Sequence, residues 1–510
     1  HWPMHARPHN IAKYKGVYHD GWDAVRTARY ALQIEMGLID PKWKLSPRDP
    51  RSWDWNAPGK ESEREWHIRN MEVYAAMVDC MDQGIARIID ALKETRQLDN
   101  TLVLFLADNG GCAEGMGWND GIKYRDKNPD VRQPMQAGEL QYDMIPRRTR
   151  AGVVVKQGKG VLSGPADTYN GYGLPWANAS NTPFREYKHW VHEGGISSPL
   201  IAHWPAGIDK SRNGKLESQP AHLIDLMATC VDLAGATYPA KVNGKAITPM
   251  QGVSLRTALS GNPLGRKAPI FFEHEGNRAM RDGKWKLVAK GPTGPWELYD
   301  IDADRSELND LADKHPDRLK QMVDAWEVWA VEARVKPWPW KSADKKGEAE
   351  SFSKETRFTL KAGQQLPREK APNVADRAWT VTAEIEDATD GVIVAQGGSS
   401  LGWSLYVANG RPYIATRHNG RLTLTTITSK LPAGKLTLRG RLTDDGLLSI
   451  IVKLSSTEGI VSRPANTRGL IPTMPIDGLD VGTDTAGLVG NYTQVDFKGK
   501  IHSVVVELDK

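Results

Sequence analysis

The sequence predicts an α/β core, a small α+β subdomain behind it, and an all-β sandwich at the C-terminal end. Three observations carry that reading. A long helical repeat runs into a continuous apolar stretch that stops at Asp108-Asn109-Gly110-Gly111. After Pro239 the elements shorten, and beyond about residue 356 the helical period gives way to a period of two. At 510 residues the chain is too long for one core. The expected division is 1–238, 239–340, a linker at 341–355, and 356–510.

Residues Arg64 to Arg96 read as one helix. Tyr74, Met77, Val78, Met81, Ile85, Ile88, Ile89 and Leu92 recur at steps of three and four, which places them on one face. The run Thr101 to Ala107 that follows suits a central strand of a parallel sheet, buried on both sides. In such sheets ligands gather at the carboxyl ends of strands, where the Asp-Asn-Gly-Gly loop falls. Pro199 to Pro205 reads as a second short strand and His222 to Leu233 as a helix ending near Gly235.

Short strands are predicted at Phe271–His274, Trp285–Ala289 and Trp296–Tyr299, with a closing helix over Asp317–Ala333. The segment 341–355 is charged and poor in large apolar residues, as linkers are. Beyond it Trp379, Val381, Ala383 and Ile385 alternate with Thr380, Thr382 and Glu384. Further strands are expected at Gly391–Gln396, Trp403–Val407, Pro412–Thr416, Lys435–Arg439, Leu448–Leu454 and Ile501–Leu508. Turns such as Ala408-Asn409-Gly410 separate them, giving a β-sandwich or jelly roll.

Composition excludes some functions. The 67 basic and 62 acidic residues are mixed along the chain, so no basic stripe for nucleic acid forms. The apolar run beside the loop is far shorter than the ~20 residues of a membrane span. Cys80, Cys112 and Cys230 make neither a disulfide framework nor a zinc spacing. The chain opens at His1 without an export signal, so the start of the protein is expected to lie outside these residues.

Asp108 and Asn109 offer two hard oxygens side by side, a pairing that suits Ca²⁺ or Mg²⁺; alone, Asp-Asn-Gly is also an ordinary turn. Lys188 opens Lys-His-Trp-Val-His-Glu-Gly-Gly, where a point charge near paired glycines can contact an anion or simply stay solvated. His1, in His-Trp-Pro, is a candidate proton donor. His192 and His274 are further candidates. Trp338 and Trp340 suit stacking on a sugar or packing against Trp326 and Trp329.

The order of these pieces resembles the later half of the sulfatase family: His-x-Pro, then helix, strand and Asp-Asn-Gly-Gly, then Lys-x₄-Glu-Gly-Gly before a Pro-initiated strand. Trp176–Arg185, His222-Leu-Ile-Asp225, Gly252-Val-Ser-Leu255, Glu273–Arg278 and Trp296–Asp300 also look like bacterial arylsulfatases. The resemblance covers residues 1–340, and the sandwich resembles a concanavalin-like domain that some arylsulfatases carry. It implies a truncated alkaline-phosphatase-like sheet. It further implies Ca²⁺ (or Mg²⁺) on Asp108 and Asn109, with Asn109 near the scissile oxygen. Lys188 would contact the sulfate, and His1 would bind the ester and help protonate the departing alcohol. The expected substrate is a sulfated small molecule or sulfated glycan, and the expected location is periplasmic or secreted.

Two departures stand out. Sulfatases attack with a formylglycine made in a Cys/Ser-x-Pro-x-Arg segment, and none of the three cysteines or any serine here has that context. The nucleophile is therefore expected in a segment outside this chain, together with an Asp-Asp pair sharing the metal, and the chain alone is expected to be inactive. Ser197-Ser198-Pro199 also replaces the commoner Arg-Val-Pro. Two alternatives remain: a phosphodiesterase or phosphonate hydrolase of the same superfamily, and a non-catalytic sugar-binding relic.

Overall fold

The computed structural model describes residues 2–141, 143–336, 352–454, 459–467, 469–485 and 487–509. They fall into two compact units, His1–Met135 with Arg147–Asp344, and Gln136–Pro146 with Lys345–Lys510. Trp338, Trp340 and most of 341–355 lie outside the described residues.

In the first unit, helices α1 (Gly21–Glu35) and α2 (Glu61–Glu94) meet α3 (Gly173–Ser180) around an aromatic core. Trp22 stands edge-on to Trp53, Trp55, His67 and Trp176 at centroid distances of 4.5–5.6 Å. Met4, Val73, Tyr172 and Trp176 complete this cluster. Large aromatic areas removed from water make it the main stabilising element here. The apolar face expected on α2 is real but divides. Tyr74, Met77 and Ala76 pack into the core, whereas Val78, Met81 and Ile88 are exposed.

Strand β1 (Val103–Leu106) pairs with β2 (Leu200–His203), antiparallel, with Val103 opposite His203 and Leu106 opposite Leu200. This corrects the expected buried strand of a parallel sheet. Among the described residues the two strands form a ribbon, with Phe105, Leu200 and Ile201 exposed. An apolar run states that a strand favours burial, but its partner and direction are set by chain elsewhere. Helix α5 (Ile224–Leu233) follows α4 (Glu193–Ile196) and β2, with Ile224 and Met227 also exposed.

The subdomain sheet contains β3 (Ile270–His274), β4 (Asn277–Asp282), β5 (Trp285–Ala289) and β6 (Glu297–Asp300), in the order β6-β5-β4-β3. Helix α6 (Pro316–Glu332) covers one face, packing Met322, Trp326 and Ala330 on Met280, Leu287 and Leu298. The opposite face carries Ala279, Val288 and Tyr299 against Val191. With both faces covered, β4 (Asn-Arg-Ala-Met-Arg-Asp) shows no alternation, which is why the sequence reading passed over it.

The second unit is an all-β sandwich, as expected. One sheet runs β7 (Arg357–Leu360), β19 (Lys500–Leu508), β9 (Trp379–Glu386), β14 (Lys435–Leu442), β15 (Leu447–Leu454) and β16 (Ile460–Val461), with β17 (Ala465–Asn466) also on β15. The other runs β8 (Gln365–Leu366), β18 (Leu479–Val481), β10 (Gly391–Gly397), β11 (Gly402–Ala408), β12 (Arg411–His418) and β13 (Arg421–Thr426). Trp379, Trp403, Leu405, Ile414, Leu438, Ile450 and Val504 share one core between them. No helix among the described residues is long and apolar enough to cross a membrane.

Candidate active site

The Asp108 loop and the Lys188–Gly195 segment are built into each other. Gly110 N donates to Gly195 O at 2.9 Å, and Lys188 N donates to Gly111 O at 3.1 Å. A Cβ on Gly110 would lie 1.8 Å from Gly194 O, and one on Gly194 would lie 2.1 Å from Arg185 O. Backbone meets backbone at these points, so only glycine fits. Asn181, at the end of α3, braces the pair: its Oδ1 accepts from Gly111 N at 2.9 Å and its Nδ2 donates to Glu186 O at 3.0 Å. Tyr172 OH accepts from Cys112 N at 3.2 Å.

Asp108 is exposed and Asn109 half-buried at the end of β1. Among the described residues neither side chain has a hydrogen-bond or ion-pair partner, leaving two oxygens open. Lys188 Nζ, on the same loop cluster, lies 3.5 Å from Glu114 Oε1. Glu114 Oε2 accepts from Trp2 Nε1 at 2.6 Å and from the Cys112 thiol at 2.8 Å. Partial burial pushes the Glu114 carboxyl up, but Cys112, Trp2 and the Lys188 charge outweigh it and hold it below the ordinary value. Burial, followed by Glu114, raises the Cys112 thiol. His1 lies outside the described residues; its neighbour Trp2 is tied to the carboxylate that faces Lys188.

His192 and His274 part company. His192 is fully buried at the start of α4, with Nε2 3.4 Å from Glu297 Oε2. Glu297 also accepts from Tyr299 OH at 2.6 Å and pairs with Arg185. Burial pushes its carboxyl up, yet His192, Tyr299 and Arg185 hold it at about 2. His192 is thus part of an interior network. His274 is exposed and meets His189 edge-on at 5.5 Å, with Glu275 2.9 Å from His189 Nδ1.

The Glu-Gly-Gly turn is held from beneath by Lys286 of β5, which is fully buried. Its Nζ lies 2.8 Å from both Glu193 Oε1 and Glu307 Oε1. Arg305 Nε sits 3.2 Å from Glu193 Oε2, and Glu193 N donates to Glu307 Oε2 at 2.8 Å. The sequence reading missed Glu114, Asn181, Tyr172 and Lys286. Each acts across a long sequence separation, with no spacing signal to expose it. His189 stood next to Lys188 in the segment already singled out.

Comparison with known proteins gives a consistent picture for the first unit. The family model described as "Sulfatase" matches residues 1–236. The model "N-sulphoglucosamine sulphohydrolase, C-terminal" matches residues 185–327. An uncharacterised sulfatase of Schizosaccharomyces pombe is 31% identical over 344 residues, covering 66% of this chain and 56% of that protein. An arylsulfatase of Klebsiella aerogenes is 28% identical over 272 residues, covering 53% of this chain and 52% of its own length. Among solved structures, a phosphonate monoester hydrolase from Silicibacter pomeroyi is 18% identical with a TM-score of 0.32, covering 58% of this chain and 51% of its own. The chain spans about half the length of the curated relatives it matches.

Proposed function

The chain belongs to the sulfatase family, and on that premise we propose that it is part of a sulfuric ester hydrolase of arylsulfatase type, with its reaction centre at the Asp108–Lys188 loop cluster. One observation carries the reading: the glycine contacts put two open oxygen donors and a cationic side chain on the same rigid backbone assembly. A carboxylate beside an amide oxygen fits Ca²⁺, which takes six to eight oxygens, so Asp108 and Asn109 would hold part of its shell. When bound, the ion neutralises charge on the sulfate oxygens.

The residues of this chain then have separate tasks. Lys188 Nζ contacts a sulfate oxygen and stabilises the negative charge that spreads as the S–O bond breaks. Glu114 keeps that ammonium from wandering into solvent and accepts a hydrogen bond from Trp2, the residue that follows His1 in the sequence. His1 gives a proton to the oxygen of the departing alcohol. The attacking group is a formylglycine supplied from outside residues 1–510, whose sequence holds no Cys/Ser-x-Pro-x-Arg segment. The substrate is a sulfated small molecule or a sulfated glycan, met in the periplasm or outside the cell.

The test is Asp108→Ala in the full-length enzyme. Calcium content and hydrolysis of nitrophenyl sulfate should fall together, because the substitution removes a charged ligand from a multidentate oxygen site. Retention of both would remove Asp108 from the metal site. Preference for a nitrophenyl phosphonate over the sulfate would overturn the sulfatase reading itself.

A further inference from the structure

We propose that His189, His274 and Glu275 form a binding site for a transition-metal dication such as Zn²⁺, chemically distinct from the oxygen donors Asp108 and Asn109. One ligand atom from each of the three side chains lies within 4.8 Å of the others. His189 Nδ1 stands 2.9 Å from Glu275 Oε2, and the two imidazole rings meet edge-on. Two imidazoles and a carboxylate are a donor set that favours Zn²⁺, Ni²⁺ or Cu²⁺ over Ca²⁺. Zinc sites with three protein ligands keep a fourth position open for water or another ligand.

The fit is geometrically accessible. With Zn–N bonds of about 2.0–2.1 Å, neighbouring donors around a tetrahedral ion are about 3.3 Å apart. All three side chains are exposed, and His189 Nδ1 and Glu275 Oε2, at 2.9 Å, already stand close to that spacing.

Both residues sit in turns: His189 (φ +91°) is the third residue of the Tyr187–Trp190 turn closed by Trp190 N to Tyr187 O at 3.0 Å, and Glu275 (φ +50°) opens the two-residue hairpin between β3 and β4. Residues with a Cβ seldom adopt such angles, and they persist where surrounding structure imposes them. Asn277, only 2% exposed, ties the two turns together. Its Nδ2 donates to the backbone carbonyls of both His189 and His274 at 3.0 Å, and its Oδ1 accepts from Gly291 N at 2.9 Å. One buried amide thus holds the backbones of two histidines that lie far apart in sequence; the same Nδ2 also lies 3.2 Å from His189 Nε2, which leaves His189 Nδ1 turned to Glu275. That combination, a buried clamp beneath exposed converging donors, is a preorganised site.

This inference stands apart from the sulfate-ester reading, and its test does not use activity. The full-length protein, stripped with a chelator and dialysed, is titrated with Zn²⁺ in a calorimeter. Bound Co²⁺ is followed in parallel by its visible absorption. We expect one equivalent of Zn²⁺ to bind through this cluster. His274→Ala and Glu275→Gln should each weaken it at least about tenfold, since even outer-shell losses at metal sites cost about 10–100-fold. Asp108→Ala should leave it in place, and excess Ca²⁺ should not displace it. Absence of stoichiometric Zn²⁺ binding, or equal affinity in the parent and both cluster variants, overturns the proposal. So does a weakening in Asp108→Ala as large as that in His274→Ala.

Discussion

Replacing Lys286 with methionine should strip the Glu-Gly-Gly turn of its anchor while keeping the length and apolar stem of the side chain. Lys286 is fully buried, and its ammonium serves Glu193 and Glu307 at 2.8 Å each. Without it, Glu307 keeps the Glu193 N–H and no ion-pair partner among the described residues, while Glu193 keeps Arg305 and the nearby charge of Arg281. Removing one partner of a buried ion pair costs about 3–5 kcal/mol, because the remaining charge stays buried and unpaired. At roughly 2 °C per kcal/mol for a domain of this size, the melting transition of the first unit should fall by about 6–10 °C at pH 7. The pH dependence supplies a second check. Burial pushes the Glu193 carboxyl up, but Lys286 and Arg305 together pull it well below its ordinary value. A depressed carboxylate contributes stability that is fully present above the unfolded pKa of about 4.3 and lost as pH falls through the folded value. The methionine variant lacks that contribution, so its deficit should be full at pH 7 and should shrink as the buffer is taken below about pH 4 toward pH 2. The double variant Lys286→Met, Glu307→Gln should melt above Lys286→Met alone, since it removes the carboxylate left without an ion-pair partner. Calorimetry of the three proteins across that pH range decides the matter. A deficit under about 1 kcal/mol at pH 7, or one that does not change with pH, would refute the reasoning.

Three further outcomes follow from the site. Lys188→Ala in the full-length enzyme should lower kcat by about 10²–10³ with an unchanged melting curve, and Lys188→Arg should rescue poorly because a planar fork replaces a compact ammonium; near-parental kinetics would remove Lys188 from the site. Gly194→Ala should cost about 3 kcal/mol, because its Cβ would lie 2.1 Å from Arg185 O and 2.3 Å from Glu186 O, both backbone atoms; an unchanged melting temperature would show that these loops can part. Residues 1–510 expressed alone should release no nitrophenol from nitrophenyl sulfate, since positioned cations cannot replace an attacking group; metal-dependent turnover would contradict that.

What the sequence made legible was local. The helix over α2, the two apolar strands and most strands of the sandwich follow from period and turn residues, within three residues of the observed ends. The pairing of β1 with β2 was not legible, because Val-Leu-Phe-Leu says nothing about which strand lies beside it or in which direction. The histidines make the same point at smaller scale. His189 and His192 are three residues apart in one motif, yet His192 is sealed against Glu297 and His189 faces outward on a left-handed backbone. Nothing in residue type separates them; the distinction lies in how Val191 packs on the subdomain sheet. Asp108 and Lys188 could be singled out because each stands beside paired glycines. Glu114 and Lys286 could not, because their partners lie far off along the chain.

The meshing of Gly110 and Gly111 with Gly194 and Gly195 sets terms for redesigning this protein. These four positions behave as a fixed chassis: no side chain can be inserted at Gly110, Gly194 or Gly195 without driving apart backbones already in contact. The neighbouring side chains that reach outward, Glu114, Lys188 and His274, carry no such restriction, since they hang from that frame without filling it. A library meant to change which molecules the protein accepts should therefore randomise exposed positions such as His274, keep Lys188 and Glu114 for the chemistry, and leave the four glycines untouched. Diversity spent on the glycines would return mostly unfolded clones, however desirable the new chemistry at those positions.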